Sequence, residues 1–185
     1  NLENDIGRGI LVFVSSLFQA TEVQFSSSFE ESVWLEISLI NNDKLLFGCI
    51  YRSPSGSTDN NEKLLQLLDE ADKTSHSHKV IVGDFNYRDI DWLNWETREN
   101  NTESDCNKFL DKLRDGYWFQ HVKSPTRGRK GNNPSTLDLV ISNEENVISN
   151  LEIQSPYGKS DHSVLKFQIN SFTEFGKIEK NSKIL

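Results

Sequence analysis

Between Ser32 and Ile40 the chain alternates: Val33, Leu35, Ile37 and Leu39 interleave with Trp34, Glu36 and Ser38. Successive side chains of a β-strand point to opposite faces, so a two-residue period reads as a strand whose faces meet different surroundings. Asn41-Asn42-Asp43 then supplies turn-forming residues, and Lys44 to Arg52 is a second strand-like run, which makes the pair a β-hairpin. Two strands do not hold together alone in water, so the rest of the chain has to extend the sheet and cover it.

Other short runs rich in Val, Ile, Leu and Phe supply that extension. Residues 9–14 and 21–25 precede the hairpin; Val80-Ile81-Val82, Tyr117 to Val122, Thr136 to Ser142, Leu151 to Gln154 and His162 to Ile169 follow it. Two segments change to a helical period. In the first, Leu64, Leu65, Leu68 and Ala71 form one apolar stripe, and Asp59 with Glu62 resembles a capping box ahead of it. The second runs from Asp105 to Asp115, with Cys106, Phe109, Leu110 and Leu113 on its inner face. Helices are interspersed with strands, but several strand pairs are joined by short turns, so a mixed sheet fits better than a doubly wound parallel one.

At 185 residues, with 35% hydrophobic and 26% charged residues, the chain can bury one core without disulfides or a structural metal. Residues 1–169 read as that domain. Residues 170–185 are polar, lysine-containing and aperiodic, and read as a linker or tail toward a downstream region. No run is long and apolar enough to span a bilayer. Cys49 and Cys106 lack metal-site spacing and are expected to be reduced, buried thiols. The sequence contains no methionine and passes from Asn1 almost directly into a strand-like run, so the start of the domain is expected to lie upstream. A formal net charge of −8 speaks against a passive nucleic-acid-binding module. It does not speak against a metal-dependent enzyme, whose clustered carboxylates gather a cation that supplies positive charge locally.

Three acidic motifs fall at the ends of predicted strands, where a scaffold can aim side chains into one site. Gly83-Asp84-Phe85-Asn86 follows Val80-Ile81-Val82, and glycine permits a turn that lets Asp84 and Asn86 leave the sheet edge together. Alone, this pattern is equally an Asx turn. Asp138 stands among Leu137, Leu139, Val140 and Ile141, a costly place for a carboxylate unless it is paired or lies on a solvated edge. Ser160-Asp161-His162-Ser163 offers the partner: a histidine beside a buried carboxylate is held in one tautomer, and Asp161 is a hard-cation ligand.

Taken in order, Gly83-Asp84-Phe85-Asn86, Thr136-Leu137-Asp138 and Ser160-Asp161-His162-Ser163 resemble the late motifs of the endonuclease/exonuclease/phosphatase superfamily. Ile50-Tyr51-Arg52-Ser53-Pro54 fits an earlier motif of that set. Residues 9–14, the Tyr-Arg-x-Pro form and Pro125-Thr126-Arg127 are most similar to the endonuclease domains of non-LTR, jockey-like retrotransposons. The resemblance covers nearly all of the chain to about Ile169. It implies an α/β (α+β) fold in which a two-sheet β-sandwich is flanked by helices, the four-layer DNase I-like arrangement, here without its first strand–helix portion.

The resemblance also implies roles. Asp84 would orient or deprotonate the attacking water, or protonate the leaving oxygen, and Asn86 would hold that water or a phosphate oxygen. His162, oriented by Asp138, would be a general base or stabilise the pentacovalent phosphate. Asp161 would help to bind Mg²⁺ or Mn²⁺, and Tyr51 would touch the scissile phosphate. The family also has an Asn and a metal-binding Glu on its first strands, both upstream of residue 9; Glu3 is not their counterpart. The chain by itself is therefore expected to be catalytically crippled.

Lys123, Arg127, Arg129 and Lys130 cluster in a glycine-containing loop before Asp138 and are candidates for contact with a DNA backbone. Trp92 and Trp95 are expected to cover a helix, and His76, His78 and His121 to be ordinary surface or core residues. The implied function is a nick in target DNA whose 3′ hydroxyl primes reverse transcription, with duplex DNA and a downstream reverse transcriptase domain as partners and the nucleus as the place of action. Two other readings are a non-catalytic nucleic-acid-binding or structural remnant of a decayed element, and a phosphatase of the same superfamily.

Overall fold

The computed structural model describes residues 9–98, 101–128 and 133–170. Its elements are β1 (Ala20–Glu22), β2 (Ser32–Ser38), β3 (Lys44–Tyr51), α1 (Thr58–Asp72), β4 (His78–Asp84), β5 (Ile90–Asp91), β6 (Glu96–Thr97), α2 (Asp105–Asp115), β7 (Phe119–Gln120), β8 (Asp138–Ser142), β9 (Ile148–Gln154) and β10 (Val164–Ile169). Six strands form one mixed sheet in the order β1-β2-β3-β4-β8-β7, while β9 pairs with β10 and β5 with β6. Only β3 and β4 run parallel in the large sheet, and α1 makes the crossover between them.

The β2–β3 hairpin forms in the predicted place, with Trp34 opposite Gly48. A Cβ at position 48 would come within 2.6 Å of the Trp34 ring, so the glycine leaves the space that the indole fills. Both faces of the hairpin are used. Trp34, Leu46 and Ile50 join Ile81, Leu139 and Ile141 against the inner sides of α1 and α2. On the other face Ile37, Leu45, Phe47, Val80 and Val140 pack with Leu151, Ile153, Leu165 and Phe167 of the β9–β10 pair. The layers are thus helices, main sheet and second sheet, the sandwich with flanking helices that the resemblance implies. Trp92 is buried and meets Phe109 of α2 and Trp95 edge-on, covering the helix as expected.

Several boundaries differ from the sequence reading. Residues 9–14 form no strand: Leu11 and Phe13 are 76% and 87% exposed, and among the described residues no strand offers that segment a ladder. The cap of α1 is Ser57, whose hydroxyl accepts from the Asn60 amide, not Asp59. Asp59 sits inside the first turn, where the helix dipole favours an acid, and pairs with Lys63 at 2.7 Å. The run Tyr117 to Val122 contributes only Phe119–Gln120 to the sheet, because Tyr117 takes a left-handed backbone (φ 53°). By contrast α2 spans the predicted residues, capped by Ser104. Of the segment read as a tail, residues 171–185 lie outside the described residues, as do Glu3, Arg129 and Lys130. Among the described residues no helix is long and apolar enough to cross a membrane.

Candidate active site

The site follows from register. Tyr51 at the end of β3 pairs with Asp84 at the end of β4, and Asp84 pairs with Asp138 at the start of β8. The three residues therefore stand in one row across adjacent strands. Alternation puts Asp84 on the same face as Val80 and Val82, and Asp138 on the face of Val140. That is the face covered by β9–β10, and His162 lies two residues before β10 begins. Sheet pairing and the segment entering β10 thus bring together groups 24 to 111 residues apart in sequence.

The imidazole of His162 completes the site. Its Nδ1 lies 2.9 and 3.1 Å from the two carboxylate oxygens of Asp138, and its Nε2 faces Asp84 Oδ2 at 3.9 Å. Asp138 accepting from Nδ1–H leaves the Nε2 lone pair directed at the Asp84 side of the site. The side chains of Asp84, Asp138 and His162 are 18%, 19% and 26% exposed, so the pocket they share is only partly wetted. Burial pushes the Asp84 carboxyl up to about 6; the charge of Asp138 adds to the rise and His162 opposes it.

The loop carrying Asp84 is held at each residue. Gly83 has φ 145°, and a Cβ there would fall 1.7 Å from the Ile50 carbonyl oxygen, so only glycine lets β4 lie this close to β3. The Phe85 amide donates to the Leu137 carbonyl at 2.9 Å. Asn86, left-handed at φ 53°, is buried, and its side-chain amide donates to the Arg52 carbonyl at 2.9 Å. Asn86 therefore braces the turn from inside the protein, where the sequence reading had it leave the sheet edge together with Asp84.

Thr126, which lies outside the predicted set, and Arg127, which is a predicted DNA-contact residue, shape the other side. Thr126 is fully buried, and its hydroxyl oxygen accepts from the amides of Leu137 and Asp138 at 3.1 and 3.0 Å. Its carbonyl accepts from Ser163 at 2.7 Å, so one residue ties the Asp138 strand to the Asp161-His162 segment. Arg127 pairs with Asp161, Nε to Oδ2, at 2.7 Å. Of the basic loop residues, Lys123 is exposed and Arg127 is in this ion pair beside the site. Pro125-Thr126-Arg127 was visible as a motif, but nothing in the sequence assigned the threonine hydroxyl its two acceptor bonds.

The ligand-capable atoms of Asp84, Asp138 and His162 lie within 4.8 Å of one another. Two carboxylates and an imidazole suit a hard or borderline divalent cation such as Mg²⁺ or Mn²⁺. Asp161 is not part of that group; its carboxylate meets Arg127. The remaining histidines serve the opposite end of the sheet: His78 bridges Asp43 (3.0 Å) and Glu144 (2.7 Å), His76 meets Glu36 and His121 meets Ser142.

A main sheet with helices on one face, a second sheet on the other and carboxylates meeting a histidine at the strand ends define a DNase I-like endonuclease/exonuclease/phosphatase fold. The sequence profile described as endonuclease-reverse transcriptase matches residues 45–166, and the chain belongs to that family. Among solved structures it is similar to the endonuclease domain of TRAS1, a telomere-specific non-LTR retrotransposon, with a TM-score of 0.64 and 15% identity over 86% of this chain and 72% of that one. It is also similar to an endonuclease/exonuclease/phosphatase family protein from Leptotrichia buccalis (TM-score 0.51, 17% identity, 76% of this chain and 53% of that one). A third likeness is to an endonuclease/exonuclease/phosphatase from Beutenbergia cavernae (TM-score 0.50, 13% identity, 82% and 45%). No curated protein sequence matches the chain.

Proposed function

We propose that this chain is the endonuclease domain of a non-LTR retrotransposon, which nicks one strand of duplex DNA so that the freed 3′ hydroxyl primes reverse transcription. The observation that carries the reading is the row Tyr51–Asp84–Asp138, with His162 held by Asp138 and facing Asp84 at 3.9 Å. Phosphodiester hydrolysis requires an oriented water, charge neutralisation at the phosphate and proton transfer at both the attacking and the leaving oxygen. Asp138 fixes the His162 ring, and His162 and Asp84 then divide the proton work: one takes a proton from water while the other returns one to the leaving O3′. An acid near 6 is suited to either half at neutral pH. Tyr51, in the same row, contacts the phosphate, and Lys123 and Arg127 with the Arg129 and Lys130 loop residues approach the DNA backbone.

Asp84 and Asp138, with His162 beside them, would hold a Mg²⁺ or Mn²⁺ ion, and Asp161 lies one residue from that set. Such an ion neutralises charge on the phosphoryl oxygens and polarises water. Two carboxylates beside a histidine committed to proton transfer retain a divalent ion weakly, so the chain by itself is expected to nick slowly. In its parent protein the domain would act ahead of a reverse transcriptase on chromosomal DNA in the nucleus.

The test is conversion of supercoiled plasmid to open circles with Mg²⁺ or Mn²⁺, for the wild type and for Asp84→Ala and His162→Ala. Metal-dependent nicking that falls roughly 10²–10⁴-fold in both variants supports the assignment. Nicking that survives both substitutions, or phosphomonoester hydrolysis without nicking, overturns it.

A further inference from the structure

Arg52 takes no part in the chemistry above, yet it is 7% exposed and touches every residue of the Asp84–Asn86 turn. Its amide donates to the Asp84 carbonyl at 2.8 Å, and its own carbonyl accepts the Asn86 side-chain amide at 2.9 Å. The side chain leaves β3 on the helix side, opposite to Tyr51. There Nη1 reaches the Phe85 carbonyl at 3.5 Å, Nη2 reaches Asp105 Oδ2 at 3.5 Å, and the guanidinium lies 4.1 Å from the centre of the Tyr87 ring. Tyr87 in turn hydrogen-bonds Asn61 of α1 and stacks on Phe109 of α2 at 4.2 Å.

A charge this deeply buried is costly, and an ion pair at 3.5 Å recovers only part of that cost. Stability alone is a poor reason to keep it. The contacts instead converge on three consecutive residues, one of them held left-handed. A flat guanidinium can donate to a carbonyl and a carboxylate while lying on an aromatic face, which a lysine cannot do.

We propose that Arg52 is a positioning residue: with Asp105 and Tyr87 it fixes the Phe85 carbonyl and the Asn86 turn, and so sets the direction in which the Asp84 carboxylate meets His162. The kinetic consequence rests on the endonuclease reading, but the structural one does not.

The experiment uses the full chain with Arg52→Met, Arg52→Lys and Asp105→Asn, and follows amide hydrogen exchange by NMR together with steady-state nicking. In Arg52→Met the Phe85 and Asn86 amides should exchange roughly tenfold faster, while those of Ile81 and Val140 in the sheet change less than about twofold. The same variant should lower kcat about 10–100-fold and leave KM within about threefold, because the fault is in alignment and not in DNA binding. Arg52→Lys should rescue neither measurement. Asp105→Asn keeps the arginine in place and should speed exchange at Phe85 and Asn86 alone, by roughly threefold, which provides the decision if Arg52→Met does not fold.

Unchanged exchange at Phe85 and Asn86, exchange that rises equally throughout the sheet, or a raised KM with intact kcat would each overturn the proposal. If the wild type does not nick, the endonuclease reading fails by itself, and the exchange measurements still decide the role of Arg52.

Discussion

Asp84→Asn separates the chemical role of this carboxylate from what it does to stability. Burial and the neighbouring Asp138 charge raise its pKa from the ordinary 3.8 to about 6. That disfavours the charged form in the folded protein by on the order of 3 kcal/mol. At 18% exposure the side chain has little solvent to screen the effect. The sign follows from the direction of the rise. Well below 3.8 the acid is neutral in both folded and unfolded chains, and no penalty exists; stability is lost as pH climbs from 3.8 to about 6, above which the folded protein holds a charge it resists. An asparagine keeps the shape and the acceptor oxygen for the Asn86 amide but carries no charge. Asp84→Asn should therefore come close to the wild type at pH 4 and melt roughly 5–10 °C higher at pH 8 without divalent ions. Adding Mg²⁺ or Mn²⁺ at pH 8 should close most of that gap by stabilising the wild type alone. Thermal melts at the two pH values decide the matter: an equal gain at pH 4 and pH 8, or a lower melting temperature at pH 8, refutes the reasoning.

Gly83→Ala forces a Cβ to within 1.7 Å of the Ile50 carbonyl at a φ of 145° and should cost more than about 3 kcal/mol, read as a lost or sharply lowered urea midpoint. Thr126→Val keeps the volume but removes the acceptor for two buried amides, which should cost about 2–3 kcal/mol in urea denaturation. Because Asp138 is one of those two residues, nicking should fall further than stability does.

Local pattern made much of this fold legible. The β2–β3 hairpin was visible in its alternation, α2 in its apolar spacing, and β4 in the run Val80-Ile81-Val82. Where the reading failed, tertiary context was missing. Residues 9–14 look like a strand because Ile10, Val12 and Val14 are β-branched, but a strand exists only against a partner. Asp59 looked like a cap because acids favour helix starts; whether the cap or the first turn takes the acid depends on where the preceding loop turns, and here Ser57 takes the cap. Asn86 looked set to leave the sheet edge with Asp84 because the glycine before them permits a sharp turn, yet a left-handed backbone turns its amide inward to Arg52.

By itself the sequence determined the family, the mixed sheet, and the acids and histidine of the candidate site, because those depend on residue type, order and periodicity. It also placed Asp138 beside His162 by requiring a partner for a carboxylate among apolar neighbours. Tertiary structure alone decided the rest of the site. Strand register set Tyr51, Asp84 and Asp138 in one row, and loop packing gave Asp161 to Arg127. Register and loop packing arise from contacts between residues far apart in the chain, and no local pattern encodes them.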